Sequence, residues 1–411
     1  MALRVYLRTF GCRANQYDSE AVRTLVQNAG GEIVDRPEEA TVAVFNSCAV
    51  TAAAESDLRR SIRHAARGNS DLTSVVMGCA SARDDGVIAA LPSVSRVIGG
   101  ADMPAIAEAL GIVPHGATVI PRSQVSTRAL LRIQDGCDEH CTFCATTQAR
   151  GANRSRPIAD LLREAELLAE RHPEIVLTGI HIGTYGNDIG TSLGALVEHL
   201  VRTVPSVRFR LSSIEATEVD DQLLDLFGNP KRLAPHLHAP LQSGSDRILK
   251  RMGRHWYTAD TYARAVDRLL AQRPIFALGA DVIAGFPDET AEDHRRTCDL
   301  VEQLPFTYLH VFPFSLRPGT AAERLPAHVP AGLVKERAAE LRAIGERKRQ
   351  AYQTSRIGQH ADVVVVRGDV REGLTEDYLE VLLLGEPLPR GSRTAARLTT
   401  SGAILAAEPI A

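Results

Sequence analysis

The sequence predicts an α/β protein in three parts: an N-terminal doubly wound parallel sheet, a central partial (β/α)6 barrel of the TIM type, and a small C-terminal all-β barrel. Three observations carry that prediction. Short apolar runs alternate with helical patterns through the first hundred residues, the order that makes a parallel sheet. Six further strand-and-helix units follow from about residue 129, too few for the eight of a closed barrel. From about Ile357 the pattern changes to short strands between glycine-rich turns. The expected limits are 1–115, 125–350 and 351–411.

In the first part, "RVYLRTF" reads as a strand and Ser19 to Ala29 as a helix. "ATVAVFNS" is a second strand, followed by a helix with Arg59, Arg60, Arg63 and Arg67, and "TSVVMG" is a third strand. Each strand runs into a cysteine: Cys12, Cys48 and Cys79. Parallel strands bring all their carboxyl ends to one edge, where such folds bind ligands. These three thiols are therefore expected to meet in space and to form a metal site. Cysteines serving only as small buried hydrophobes would be scattered along strands and helices.

Residues 101–127 read as a connector with little periodicity. Beyond it, "ALLRIQDG", "EIVLTGI", "VRFRLSSI", "HLHAPLQSG", "FALGADVIAGF" and "YLHVFPF" are the candidate barrel strands. Helical patterns near 158–171, 192–203, 219–227, 258–272 and 290–303 separate them. The first strand leads into "CDEHCTFC", a C-x3-C-x2-C run at Cys137, Cys141 and Cys144. A long helical pattern from Pro330 to Arg356 closes the barrel part. Short strands "ADVVVVRG", "DYLEVLLLG" and "RTAARLTT" make the last part.

Bulk composition excludes several classes. The 411 residues carry a formal charge of −3, so no global basic field draws the chain to nucleic acid. "MALRVYLRTFGC" has no apolar stretch of the signal-peptide kind, and no apolar run approaches the roughly 18 residues that span a bilayer. Seven cysteines, an odd number, fit reduced thiols in the cytoplasm, with no membrane partner.

Three thiols within eight residues point to a metal, because the thiolate is the ligand. A structural zinc site with His140 as fourth ligand and a chance cluster are the alternatives. A four-iron cube normally takes four thiolates, so a set of three leaves one coordination position open. That opening separates catalytic from structural metal sites.

C-x3-C-x2-C after the first strand of a six-unit partial barrel, with Phe143 before the last cysteine, resembles the radical S-adenosylmethionine superfamily. "TFGCRANQYDSE", "FNSCAVT", "VVMGCASA", "RGANRSR", "LTGIHIGTYG", "RLSSIEATEV", "HAPLQSGSDRILKRM", "DVIAGFP" and "HVFPFSLRPGTAA" are similar, in order, to its methylthiotransferases. The likeness covers essentially the whole chain. It implies two [4Fe–4S] clusters, one held by Cys137, Cys141 and Cys144 with S-adenosylmethionine on its open iron. The other is an auxiliary cluster on Cys12, Cys48 and Cys79, and the C-terminal barrel is an RNA-binding TRAM domain. "CRANQYDSE", "LTGIHIGTYG" and "HVFPFSLRPGT" resemble the branch that methylthiolates N6-threonylcarbamoyladenosine at position 37, in the tRNA anticodon loop. The isopentenyladenosine branch and the branch acting on a ribosomal-protein aspartate are the alternatives, as is a non-catalytic iron–sulfur or RNA-binding protein. The chain departs from the family at "CATTQARG", where bulky apolar residues and a proline are usual, and at Asp288, where glycine is usual.

The candidate cofactor contacts are Phe143, Thr178, Gly179, Ser213, Glu215, Ser243 and Arg254. Arg150 and Arg154 are candidates for substrate binding, as partners of the threonyl carboxylate near the barrel mouth. Cys298, the seventh cysteine, reads as an inert buried thiol. An electron donor of the flavodoxin or ferredoxin type and a sulfur source are further expected partners. Composition argues against RNA binding by the last part alone: residues 351–411 hold six Arg and eight Asp or Glu.

Overall fold

The structure is a computed structural model that describes residues 3–49, 52–84, 86–113, 121, 123–229, 232–271 and 273–410. The chain forms two compact units. The first holds Met1–Val125, Gln134–Glu139 and Cys144–Arg154, and the second Ser126–Ile133, His140–Phe143 and Ser155–Ala411.

The first unit runs β1 (Arg4–Thr9), α1 (Arg13–Asn28), β2 (Glu32–Val34), β3 (Val42–Ser47), α2 (Ala52–Gly68), β4 (Thr73–Gly78), β5 (Val94–Val97) and α3 (Met103–Ala109). Its five strands pair in parallel, in the order β2-β1-β3-β4-β5. Alternate residues of one strand feed opposite faces. Ala43 and Phe45 pack with Leu58 and Ile62 of α2, whereas Val44 packs with Val22 and Val26 of α1 and Ile106 of α3. The sheet is thus doubly wound, as expected. Strands β2 and β5 were not legible in the sequence because they are short, half-exposed edges with little apolar pattern. Helix α3 likewise interrupts the expected connector, started by the Asp102 carboxylate, which accepts from the Ala105 amide at 3.1 Å.

The chain continues through β6 (Ala129–Arg132), β7 (Gln134–Asp135), α4 (Thr146–Arg150), β8 (Arg154–Ser155), α5 (Ile158–Ala169), β9 (Glu174–Thr178), α6 (Leu193–Thr203) and β10 (Arg208–Leu211). Then come α7 (Asp221–Phe227), β11 (His236–His238), α8 (Asp246–Arg251), α9 (Ala259–Leu270), β12 (Ala277–Ala284), α10 (Ala291–Gln303), β13 (Tyr308–Pro313) and α11 (Ala331–Arg356). Two parallel sheets, β10-β9-β6 and β11-β12-β13, are joined by parallel bridges Phe209↔Leu233 and Ser213↔His238. That makes the expected six-stranded partial barrel. Leu237, Leu278, Ala280, Val282, Leu309 and Val311 pack outward against the helix layer. His236, His238, Gly279, Asp281, Tyr308 and His310 alternate with them and so form the inner wall.

Strands β14 (His360–Arg367), β15 (Glu372–Leu374), β16 (Glu380–Leu383), β17 (Arg393–Ser401) and β18 (Ile404–Pro409) close a barrel in the order β14-β15-β16-β18-β17. It is anchored on the amino-terminal end of the larger barrel by buried ion pairs and an aromatic stack. Glu174, fully buried at the start of β9, takes Arg208 at 2.7 Å and Arg210 at 2.8 Å. Arg208 reaches on to Asp362, at 3.1 Å, and Arg210 donates to the Thr375 carbonyl at 3.1 Å. The Tyr378 ring stacks on His236, with centroids 4.4 Å apart, beneath the Arg210 guanidinium. Burial alone drives the Glu174 carboxyl up, but Arg210 and Arg208 outweigh it and hold it well below the usual carboxylate range.

Asp288, where the family resemblance leads one to expect glycine, has φ of 68°. The backbone keeps the left-handed conformation that glycine adopts freely, and the Asp288 carboxylate takes Arg247 at 2.7 Å.

Candidate active site

Cys12, Cys48 and Cys79 follow β1, β3 and β4 at the carboxyl edge of the first sheet. Cys12 is the residue before α1, at its N-cap. Asn15, one turn into α1, sits among the thiols. Its Oδ1 lies 4.0 Å from Cys12 Sγ and 3.8 Å from Cys79 Sγ. Its Nδ2 donates to the carbonyls of Phe10 at 2.9 Å and Ser47 at 2.7 Å, tying the ends of β1 and β3 together. Gly11 has φ of 102°, and a Cβ there would stand 2.8 Å from Cys48 Sγ. Only glycine leaves room for that sulfur. Burial drives the Cys79 thiol up to about 11, Arg150 opposes the shift, and Cys12 and Cys48 add to it. Three thiols that feel one another, in a cradle kept open by glycine, fit a polynuclear cluster.

A mononuclear zinc site fits less well. Zinc gathers sulfurs at about 2.3 Å around one ion. Among the described residues, the groups of three or more donor atoms within 4.8 Å of one another are His238–Asp281–His310 and His294–Cys298–Glu340; Cys12, Cys48 and Cys79 form no such group. Thiolates on separate irons of a cube stand farther apart than that.

The cluster loop lies between β7 and α4. In the first unit, Gly136 has φ of 76°, and a Cβ there would meet the Ala152 carbonyl at 1.9 Å, so the two arms of the loop close over it. The Cys137 amide donates to the Gly151 carbonyl at 3.0 Å. Cys144 Sγ accepts from the Thr146 amide, at the start of α4, at 3.3 Å. In the second unit, the Thr142 amide donates to the Met252 carbonyl at 2.8 Å and its hydroxyl to the Arg251 carbonyl at 2.9 Å. Phe143 packs edge-on to Phe286 at 6.4 Å. Cys141 Sγ accepts from Arg254 Nη1 at 3.4 Å. None of the seven cysteines is in a disulfide.

Arg254 is the hub of this side. It also donates to the Tyr257 hydroxyl at 3.0 Å and to the Glu215 carboxylate, which the Trp256 indole reaches as well. Burial raises the Glu215 carboxyl, and Arg254 opposes it. Thr178 ends β9, buried, with Gly179 after it; Ser213 is exposed beyond β10.

Two of the expected contact residues already have partners within the chain. Ser243 faces the helix layer: its hydroxyl lies 3.3 Å from Thr297 Oγ1 on α10 and accepts from the Ser245 amide, so it shapes a turn. Arg150 is buried, not open to a substrate carboxylate. Its guanidinium is held by Asp18 at 2.8 Å, Asn15 at 2.7 Å and Cys79 at 3.3 Å. Arg154 is the exposed one, its side chain 60% accessible. His140 is also exposed. Cys298 is buried as expected, with His294 Nε2 3.5 Å away.

Sequence reasoning missed Asn15 and Asp18 because it began the helix at Ser19. With the helix starting at Arg13, their spacing of three puts both on one face. It also missed the inner-wall network, in which Asp281 Oδ1 takes His238 at 2.9 Å and His310 at 3.3 Å, although the period-two pattern in "HLH" and "YLH" carried the signal.

Comparison with known proteins decides the family. Residues 131–301 match the Radical SAM superfamily, and residues 4–99 match the family described as Uncharacterized protein family UPF0004. Threonylcarbamoyladenosine tRNA methylthiotransferase MtaB of Thermotoga maritima is 36% identical over 93% of this chain and 91% of its own length. MtaB of Rickettsia prowazekii is 34% identical with the same shares. The chain belongs to the radical S-adenosylmethionine methylthiotransferase family. Members named tRNA-2-methylthio-N(6)-dimethylallyladenosine synthase also match, one from Cereibacter sphaeroides at 35% over 88% of this chain and 87% of its own. Among solved structures, the radical S-adenosylmethionine methyltransferase TsrM from Kitasatospora setae shares the fold, with a TM-score of 0.59 at 15% identity over 78% of this chain and 75% of that one. This methylthiotransferase is thus a radical enzyme whose cofactors are S-adenosylmethionine and two iron–sulfur clusters. No helix among the described residues is long and apolar enough to cross a membrane.

Proposed function

We propose that this methylthiotransferase adds a methylthio group to C2 of N6-threonylcarbamoyladenosine at position 37 of tRNA, in the cytoplasm. The observation that carries the reading is the pair of three-thiol sets, one at a parallel-sheet edge and one on the loop after the first barrel strand. Cys137, Cys141 and Cys144 hold the cluster that takes S-adenosylmethionine, and Cys12, Cys48 and Cys79 hold the auxiliary cluster. When bound, these groups supply the one-electron chemistry that an unactivated aromatic C–H bond requires, together with the sulfur and the methyl group.

The chain's own residues bind and orient. Arg254 places a fixed positive charge beside Cys141 and keeps Glu215 in one rotamer, so Glu215 can accept hydrogen bonds from a ribose or an amino group. Thr178, Gly179 and Ser213, at the carboxyl ends of β9 and β10, line the face where barrels of this kind place their chemistry. Phe143 anchors the loop through Phe286. Functionally, residues 1–115 serve the auxiliary cluster, 125–350 the radical chemistry and 351–411 RNA. An electron donor of the flavodoxin or ferredoxin type and a separate sulfur source complete the partners.

The threonylcarbamoyl group adds a carboxylate and a hydroxyl, whereas an isopentenyl group is apolar. A site built to pair the former leaves polar groups unpaired with the latter, which discriminates by orders of magnitude. Arg154 is the carboxylate's candidate partner. The relatives named for dimethylallyladenosine keep a second reading in play. Purified enzyme offered both tRNAs, with nucleosides read by mass spectrometry, should methylthiolate the threonylcarbamoyl form and leave the isopentenyl form nearly untouched. Equal rates, or the reverse preference, would refute the substrate assignment.

A further inference from the structure

The auxiliary thiols have a cation of their own. Arg150 ends α4, the five-residue helix that begins two residues after Cys144, and Gly151 follows with φ of 73° to turn the chain away. Its side chain is 1% exposed. An arginine so buried must have every charge and donor accounted for. One Nη2 goes to Asp18 and Asn15, Nη1 lies 3.4 Å from Asp135, and Nε donates to Cys79 Sγ. Asp18 is itself fully buried on α1. The carboxylate therefore fixes where the guanidinium lies, and the guanidinium is aimed at the sulfur.

We infer that Arg150 is a positioning and charge-setting residue of the auxiliary centre, an inference that rests on the proposed assignment of Cys12, Cys48 and Cys79 to that centre. Its donation to Cys79 places a permanent positive charge against one of three cluster thiolates. Hydrogen bonds to sulfur and local charge are what a protein uses to set a cluster's reduction potential. A cation beside the sulfur favours the reduced, more negative state and so raises the potential. Asp18 has the opposite sign of effect, because it partly neutralises that cation. Because α4 carries Cys144 just before its start and Arg150 at its end, one rigid turn of helix joins the loop ligand to the auxiliary ligand's partner. Arginine matters here for its fork: one planar group reaches carboxylate, amide and thiolate together, which a lysine ammonium does not.

The test uses the full chain with Cys137, Cys141 and Cys144 changed to Ala, reconstituted anaerobically, so that only the auxiliary cluster contributes. Iron per chain and the midpoint potential, followed by electron paramagnetic resonance, are read for this parent and for Arg150→Met, Arg150→Lys and Asp18→Asn added to it. Arg150→Met should shift the potential to more negative values, Arg150→Lys should shift it less, and Asp18→Asn should shift it the other way. Full iron with an unchanged potential in Arg150→Met overturns the inference. Should Arg150→Met lose its iron, retention in Arg150→Lys supports the charge-setting role, and equal loss in both overturns it. A parent that binds no iron overturns the auxiliary-site assignment itself, a separate result.

Discussion

The two thiol sites are built by opposite routes. The loop set is local: three cysteines in eight residues, with Gly136 just before them and α4 starting two residues after. The auxiliary set is distributed over the ends of three strands and exists only once β1, β3 and β4 have paired in register. Yet both finish alike, with a buried arginine donating to one sulfur: Arg254 to Cys141 in one unit and Arg150 to Cys79 in the other. The arginines differ in what holds them. Arg150 is clamped by the Asp18 carboxylate of α1, whereas Arg254 is held by Glu215 and by the aromatic rings of Trp256 and Tyr257. The arginine beside Cys79 is thus held by carboxylates and the Asn15 amide oxygen, whereas the one beside Cys141 is shared with Glu215 and two aromatic rings.

The largest effects come from removing either set whole. With Cys12, Cys48 and Cys79 changed to Ala, methylthio transfer should vanish while cleavage of S-adenosylmethionine to 5′-deoxyadenosine survives, and iron should fall from about eight to about four per chain. With Cys137, Cys141 and Cys144 changed instead, both activities should vanish at the same iron content. Chromatography of 5′-deoxyadenosine beside mass spectrometry of tRNA nucleosides separates the two patterns. Thiolated product from the first variant would break the comparison.

A smaller and more local effect should follow from glycine. Gly11→Ala puts a methyl group 2.8 Å from Cys48 Sγ, so iron should drop towards half with S-adenosylmethionine cleavage retained. Gly253→Ala puts one 2.9 Å from the His140 carbonyl at φ of 77°, so there cleavage itself should fall. Iron analysis and a cleavage assay on the pair would show whether each glycine serves only its own site.

The smallest effect on either site, though not on stability, should come from Glu174→Gln at the barrel floor. Two buried arginines would lose their carboxylate, at a cost of about 3–5 kcal/mol, with iron content unchanged. The sign of the pH dependence follows from the depressed carboxyl. The stabilisation is present above the unfolded value near 4.3 and is lost as pH falls through the lower folded value. Denaturant midpoints at neutral pH should therefore differ between wild type and variant, and the difference should shrink in acid. A constant difference would mean that Glu174 is not the charged partner.

The loop and strand-end cysteines, the doubly wound sheet and the six-unit barrel were legible because each has a local signature: a spacing, an alternation, or an apolar run ending in a cysteine. Arg150 was legible as an arginine near the loop, but its buried partners Asp18, Asn15 and Cys79 were not. Its position in sequence gives its distance from Cys144 and nothing about Asp18, more than a hundred residues earlier. The RNA question behaves similarly. The acidic balance of residues 351–411 argued against a binding surface, yet Asp362, Glu376 and Asp377 are occupied by Arg208, Arg393 and Arg356 within the structure. A charge count over a segment includes charges that the fold has already paired.

By itself the sequence determined which thiols exist, which strands they end, and which segments alternate to make sheet, barrel and terminal barrel, because hydrophobic period and ligand spacing are properties of neighbouring residues. Tertiary structure alone decided that Asn15 turns towards the thiols and Asp18 towards Arg150, that Arg150 is spent on Cys79, that Ser243 faces a helix, and that the terminal barrel is bolted to Glu174 through arginines. Those outcomes depend on burial and on partners distant in the chain. A charge removed from water must be paired by whatever side chain the fold brings within reach, and no local pattern records which one that is.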